Sequence, residues 1–360
     1  MAAYGVDTHF WSGRRVFVTG HTGFKGAWLS FRLLGLGAKV TGFALPPATE
    51  PNLFESLSLA EDMQHVVGDV RHAEGLTAAV TAAQPEVVFH LAAQALVRPA
   101  FDDPVETFAT NVMGTVNLLQ ALRDVPTLKA IVGVTSDKVY DNREWPWGYR
   151  ETDPLGGREP YGSSKACCEH VVEAFARSYF RPAEGGPGIA SLRAGNVIGG
   201  GDWASDRLIP DAVRAFSKGS PLRLRNPAAV RPWQHVLEPL EAYLDMAQRL
   251  SAAPADWSGA WNVGPAAESA RPVSWIAERL CTLWGDGARW EAANGNQPYE
   301  ARLLHVDSGK LSAAAGYRPT WSIETALDHT VTWYRVARER GDLRALSQRQ
   351  VEQFLEARAA

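Results

Sequence analysis

A hydroxyl, a carboxyl and an amine follow one another at Ser136-Asp137-Lys138, within the stretch Thr135-Ser136-Asp137-Lys138-Val139-Tyr140. Directly before it runs Ala130–Val134, apolar and β-branched, with the length of a buried strand. At the C-terminal edge of an open parallel sheet, such groups would point into the ligand crevice. Read alone, the six residues serve equally well as a polar strand exit that caps the next segment. A second pair follows. Pro160 introduces Tyr161-Gly162-Ser163-Ser164-Lys165 and a helix predicted to run to about residue 179. Tyr161 and Lys165 are four apart, so they share a helix face one turn from each other. A free tyrosine, with a pKa of about 10, is a poor base at neutral pH. A lysine cation beside it favours the phenolate. The two together make a base for a secondary alcohol, which is what hydride loss from a carbinol requires.

These groups need a scaffold, and the N-terminal half supplies one. Arg15–Thr19 reads as a short buried strand, followed at once by Gly20-His21-Thr22-Gly23-Phe24-Lys25-Gly26 and a helix-compatible run over 27–36. In a strand–glycine turn–helix unit the glycines allow the tight turn, the approach of a pyrophosphate to backbone N–H groups, and close helix packing. The second strand, Lys39–Ala44, should end in an acid that holds the adenosine ribose; the chain instead runs Ala44-Leu45-Pro46-Pro47. NAD is the expected cofactor, and NADP is not excluded by these residues. The pattern repeats: a strand over 65–67 with Asp69 and Val70 at its exit, a helix Ala73–Ala83, and a strand over 87–91 ending in Leu91-Ala92-Ala93. Asp69 is placed to accept from an adenine amine, and the small residues leave room for a flat cofactor. A helix opens at Asp103-Pro104 and runs to Arg123, with Asn111 as a polar residue among apolar ones. Alternation of this kind predicts an α/β fold with a doubly wound parallel sheet.

Composition bounds the rest. The chain has 360 residues, 46% hydrophobic and 21% charged, with a net charge of -4. That is long enough for two domains, and no basic face points to nucleic acid. Three cysteines make no disulfide framework and fit a reducing compartment. No signal peptide and no membrane-length apolar run is read, so a cytoplasmic location and no membrane partner are expected. No metal site is expected. Residues 141–160, rich in Pro, Gly and aromatics, form a loop in which Trp145, Trp147 and Tyr149 are either a hydrophobic plug or a pocket wall. The dinucleotide domain is expected over 1–195 and a substrate lobe over 196–360, with segments at about 231–262 returning to the first domain. Arg193, Arg207, Arg223, Arg225 and Arg231 form a basic series. Arginine suits a diphosphate, although most of such a series is ordinarily a solvated face.

Gly20-x-x-Gly23-x-x-Gly26, His90-Leu91-Ala92-Ala93, Asn111 and Tyr161-x-x-x-Lys165 stand in the order shown by the extended branch of the short-chain dehydrogenase/reductase family, which the chain resembles. The likeness covers about 10–335. It is closest to the members that dehydrate CDP-glucose, through Phe10-Trp11, the string from Thr19 to Gly26, the string from Asp141 to Glu151, Leu155-Gly156-Gly157, and Gly195 to Ala204. The resemblance implies a Rossmann-type sheet, NAD bound by the residues just named together with Thr135, and CDP-glucose as substrate in deoxysugar biosynthesis. It implies oxidation at carbon 4, loss of water across carbons 5 and 6, and reduction at carbon 6. Tyr161, tuned by Lys165 and oriented by Ser136, would act on the 4-hydroxyl, with Asp137 as the acid of the elimination. Related sugar-nucleotide dehydratases carry Thr-Asp-Glu where this chain has Ser136-Asp137-Lys138. The CDP-glucose enzymes share the lysine, and Lys138 is the expected base, acting when neutral. Gln94, Ser136, Asn196, Arg207 and Arg231 are the expected substrate contacts, and a homodimer through the helices at 103–123 and 161–179 is implied. A 4-epimerase or another nucleotide-sugar dehydratase is the alternative enzyme; it is disfavoured by Asp137-Lys138. A dinucleotide-sensing regulator is the alternative without chemistry, disfavoured by the intact Tyr–Lys pair.

Overall fold

The computed structural model describes residues 4–293 and 301–360. Its centre is a seven-stranded parallel sheet: β1 (Arg15–Thr19), β2 (Lys39–Ala44), β3 (Gln64–Val67), β4 (Val87–His90), β5 (Ala130–Val134), β6 (Gly188–Arg193) and β7 (Gly259–Asn262), in the order β7-β6-β5-β4-β1-β2-β3. The chain leaves β1 toward β2 on one side and returns to β4 on the other. The strand order therefore reverses between β1 and β4, which is where open α/β sheets bind ligands. Register is continuous across this point, with Val16 beside both Val40 and Val87. Strands β4, β5 and β6 are buried at every position, as expected of parallel strands covered on both faces.

Two apolar layers cover the sheet. One packs Leu118, Leu119 and Val172 against Phe17, Val88 and Ile131. The other packs Trp28, Leu240, Tyr243 and Trp333 against Val16, Phe89 and Val132. The helices of the first layer carry the site. α1 (Phe24–Gly35) follows β1 and belongs to the second layer; α2 (Ala73–Ala83) follows β3. Between β4 and β5 the helix predicted over 103–123 is α3 (Pro104–Phe108) and α4 (Gly114–Leu122), joined by a π-helical turn, Ala109–Met113. Helix α5 (Pro160–Phe175) continues into a second π turn, Ala176–Phe180.

Beyond β6 the chain crosses the top of the sheet and builds a smaller region. It contains α6 (Leu208–Ser217), the strand Leu222–Leu224 beside Trp290–Ala292, and α8 (Val273–Trp284). Between these pieces α7 (Leu237–Ala252) packs back on the main sheet, and β7 joins its edge beside β6. The seventh strand ends at Asn262, where the chain turns toward Gly264. Two C-terminal helices, α9 (Ile323–Arg338) and α10 (Leu343–Ala359), close the second layer.

Candidate active site

The glycine turn is forced by geometry rather than by preference alone. Gly20 adopts φ +76, and a Cβ there would lie 2.6 Å from the Ala92 nitrogen; at Gly26 it would lie 2.0 Å from the Gly20 oxygen. Gly23 caps α1 without a side-chain bond to the first-turn N–H groups, which leaves those donors for an anion. His21 is turned away from this opening. Its ring packs on Gly42 and meets His65 Nδ1 at 2.6 Å, and burial, with His65 as the second cause, lowers its pKa to about 3. The Thr22 hydroxyl donates to the Leu45 carbonyl.

The strand end is braced from the cofactor side by a chain of buried polar groups. Thr19 Oγ1 accepts from the Leu91 and Ala92 N–H groups and meets His90 Nδ1 at 2.7 Å. His90 Nε2 meets the Thr115 hydroxyl, which donates to the Asn111 carbonyl. Burial, then Lys165, holds the His90 pKa near 3, so the ring is neutral. Asn111 sits in the π turn, where the extra backbone residue re-aims its amide. It donates to Ser164 Oγ at 2.8 Å and accepts from the Gln94 N–H at 2.8 Å, while Ser164 donates to the Tyr161 carbonyl. Asn111 thus fixes α5 relative to β4.

The stretch from Thr135 to Tyr140 leaves β5 and forms a 3₁₀ turn, Asp137–Val139, capped by Ser136, whose Oγ accepts from the Lys138 N–H. Helix α5 starts at Glu159, whose carboxylate accepts from the Tyr161 and Gly162 N–H groups at 2.7 Å each, with Pro160 in the first turn. That cap locks Tyr161 in place. Lys165, one turn on, donates to the Val134 carbonyl at 3.3 Å. Tyr161, Ser136, Asp137, Lys138, Asn196 and Arg207 line one cleft of about 380 Å³, within the size range of small-molecule sites.

Asp137 is fully buried. Its Oδ1 accepts from Ser136 Oγ at 3.1 Å and faces Lys138 Nζ at 3.4 Å; its Oδ2 has no partner among the described residues. That oxygen is packed on Gly195, where a Cβ would come within 1.9 Å of it. Asn196 is held at φ +46, and its buried Oδ1 is likewise without a partner. Two unmatched buried acceptors at one cleft mark it as a place for a ligand with donors. Lys25 lines the same cleft from the glycine turn, and burial first, then Arg207, lowers its pKa to about 7. Glu159 also lines it; burial raises its pKa, against the opposing pull of the two N–H bonds and Lys138.

Several sequence expectations need correction. Gln94 does not face the cleft: its Nε2 donates to Leu96 O and Thr107 Oγ1, and its Oε1 accepts from the Leu96 N–H. The Asp69 carboxylate is taken up by Arg71, at 2.5 Å and 2.8 Å, instead of standing open for an adenine. Thr135 lines the cleft, while its hydroxyl donates to Glu169. Val70 is buried against Gly114. In the basic series, Arg193 is neither solvated nor in the cleft, but paired with Glu169 at 2.8 Å and buried. Arg223 is exposed beside Glu291. Arg207, Arg225 and Arg231 line the cleft, as Arg223 does at its rim, with Arg207 held by Asp202 at 2.8 Å. The aromatic loop is a plug: Trp145 stacks on Tyr149 and Tyr149 on Tyr140, with Trp147 exposed. Sequence reasoning missed Asp202, Asp206 and Glu159, since acids in loops carry no periodicity. It also missed Glu169, eight residues past Tyr161 on the same helix face.

A doubly wound sheet, a glycine turn at its switch point and a Tyr–Lys pair over the crevice define the class, a dinucleotide-dependent α/β enzyme. The chain belongs to the family described as GDP-mannose 4,6 dehydratase, whose family model matches residues 17–330. It is 48% identical to the CDP-glucose 4,6-dehydratase of Salmonella typhimurium, over 98% of this chain and 99% of that one. To a dTDP-glucose 4,6-dehydratase of Xanthomonas campestris it is 28% identical, covering 88% of this chain and 92% of the relative. Among solved structures, the dTDP-glucose 4,6-dehydratase DesIV of Streptomyces venezuelae, with NAD and TYD bound, is similar with a TM-score of 0.77 and 25% identity, over 91% of this chain and 98% of that one. The UDP-glucose 4-epimerase of Thermus thermophilus in complex with NAD gives a TM-score of 0.77 and 26% identity, over 90% and 99%.

Proposed function

We propose that this protein is an NAD-dependent hydro-lyase that converts CDP-D-glucose to CDP-4-dehydro-6-deoxy-D-glucose in deoxysugar biosynthesis. The observation that carries this reading is the shared cleft: a buried carboxyl with an oxygen unpartnered among the described residues (Asp137) and an amine (Lys138) line it together with Tyr161, while Lys165, one helical turn on from Tyr161, is buried behind it with its amine on the Val134 carbonyl. An epimerase needs the pair alone; a dehydratase needs the acid and base as well. The relative at 48% identity supports the same substrate.

The glycine turn, the uncapped first turn of α1 and the small residues Ala92 and Ala93 fit NAD and are the groups that would hold it. NAD held by these groups would supply the hydride acceptor for carbon 4 of the glucose and the hydride donor for carbon 6. The chain's own residues do the proton work. Tyr161 takes the proton of the 4-hydroxyl, Lys165 favours the phenolate, and Ser136 hydrogen-bonds the same oxygen. The resulting ketone acidifies carbon 5; Lys138 takes that proton and Asp137 protonates the departing 6-hydroxyl, so that water is lost, and Lys138 gives its proton back to carbon 5 as carbon 6 is reduced. Arg207 and Arg231 answer the diphosphate, and Asn196, with its unmatched acceptor, takes a donor from the substrate.

Incubation with CDP-, dTDP-, UDP- and GDP-glucose is expected to give a 4-keto-6-deoxy product from CDP-glucose in clear preference. Preference for dTDP-glucose, or no product from any, overturns the reading.

We divide the chain into a dinucleotide domain to about residue 195 and a substrate lobe after it, with about 231–262 returning to the first. No described helix is long and apolar enough to cross a membrane, and the three cysteines are unpaired, which fits the proposed cytoplasmic location. A homodimer is proposed through the exposed apolar positions Val105 and Met113, on the α3–α4 run, and Tyr179, at the end of α5. Light scattering coupled to size exclusion is expected to give twice the chain mass at micromolar concentration; a monomer sinks the proposal.

A further inference from the structure

Glu169 belongs to none of the proton steps above, yet it is a carboxylate only 5% exposed, directly under the catalytic stretch. It follows Tyr161 and Lys165 at four-residue intervals, on the face of α5 turned to the sheet. Its Oε1 accepts from the Thr135 hydroxyl at 2.5 Å; its Oε2 accepts from Ser191 Oγ at 2.6 Å and Arg193 Nη2 at 2.8 Å, both on β6. The other arm of Arg193 donates to the Tyr140 hydroxyl at 2.9 Å, and Tyr140 donates to Asn262 Oδ1 on β7 at 2.6 Å. Burial works against the Arg193 charge, but Glu169 outweighs it and holds the guanidinium pKa above its ordinary value. Thr135 and Tyr140, the two ends of the catalytic stretch, are therefore tied to a single buried ion pair.

A buried ion pair is weak evidence for stability, because desolvation takes back most of the attraction. A hydrophobic pair of similar volume would fill the same space. It would not fix the height of the strand end against the helix, which three directional bonds from one carboxylate do. Everything between the anchors, Ser136 to Val139, rides on that height, while Tyr161 rides on the helix that carries Glu169. We propose that Glu169, acting through Thr135 and through Arg193 and Tyr140, is a positioning residue that sets the separation between Ser136 and Tyr161 for the proton step. The proposal rests on the reading of Tyr161 as the base.

Thr135→Val keeps shape and leaves the ion pair whole while cutting the link to the strand end. Tyr140→Phe cuts the other link and is the second variant should the first lose its fold. Each is expected to lower kcat with CDP-glucose about tenfold at a KM within about twofold, in addition to a modest fall in melting temperature from the buried polar group left unpaired, because a misplacement of ~1 Å can lower the rate by up to 10²-fold. Thr135→Ser, which keeps the donor, is expected to restore the rate. Crystal structures of wild type and variant read the geometry without turnover: the Ser136 Oγ to Tyr161 Oη separation grows by a few tenths of an ångström or more (~0.5 Å). Wild-type kcat in a folded variant, or a fall in melting temperature alone, overturns the positioning role. An unchanged separation overturns it even if the wild type turns over no nucleotide sugar, an outcome that would separately sink the substrate reading.

Discussion

Tyr161→Phe is expected to lower kcat for CDP-glucose by 10²–10⁴, a loss of about 3–5 kcal/mol of transition-state stabilisation. The effect is confined to chemistry by the way the residue is held. Tyr161 is 8% exposed and is fixed by backbone contacts: its N–H donates to Glu159, and its carbonyl accepts from Ser164. Removal of the hydroxyl touches neither contact. The ring, the cap and the Asn111–Ser164 brace remain, so substrate affinity, read by calorimetry, should stay within about twofold while product formation collapses. A variant that retains a rate within tenfold of wild type would remove Tyr161 as the base and leave the cleft without a group able to take the carbon 4 hydroxyl proton in the proposed way. Lys165 would then have to be reread as a purely structural donor to Val134.

The scaffold of this site was legible in the sequence because its signals are local. β1 and β5 lie where the sequence places them, β5 most sharply, since a parallel strand covered on both faces has no polar alternation to blur its limits. The glycine turn reads from three residues because the backbone permits nothing larger, as Gly26 demonstrates. The Tyr161–Lys165 spacing gives a shared helix face without further information. What stayed hidden is which polar group meets which. Glu169 and Arg193 are 24 positions apart, and Tyr140 and Asn262 are 122 apart; no periodicity links them. Gln94 and Asp69 carry suitable chemistry for ligands, but near neighbours, Leu96, Thr107 and Arg71, take up their bonding capacity first. The π turn at Ala109–Met113 was also out of reach, because a 3.6-residue pattern continues through it with only a small phase slip. That slip is what turns Asn111 inward.

The second large effect separates the two halves of the elimination. Asp137→Asn preserves shape in a pocket with no slack, since Gly195 packs directly on Oδ2, but it removes the proton that the 6-hydroxyl needs to depart. Product formation should fall by 10²–10⁴. Oxidation at carbon 4 does not depend on that proton, and neither does removal of the carbon 5 proton by Lys138. In deuterated buffer, CDP-glucose recovered from the Asp137→Asn protein should therefore carry deuterium at carbon 5. Lys138→Met should show the opposite pattern: loss of both product and exchange, because the variant has no base. The amine stands 3.4 Å from Asp137 Oδ1 and is about a third exposed, so the shorter Met stem can occupy its path without disturbing the buried carboxyl. Undiminished exchange in Lys138→Met would mean that the lysine serves Asp137 electrostatically and that another group takes the proton. Glu159 is then the residue indicated: it lines the same cleft, two positions before Tyr161, and burial raises its pKa toward the range in which a carboxylate is an effective base.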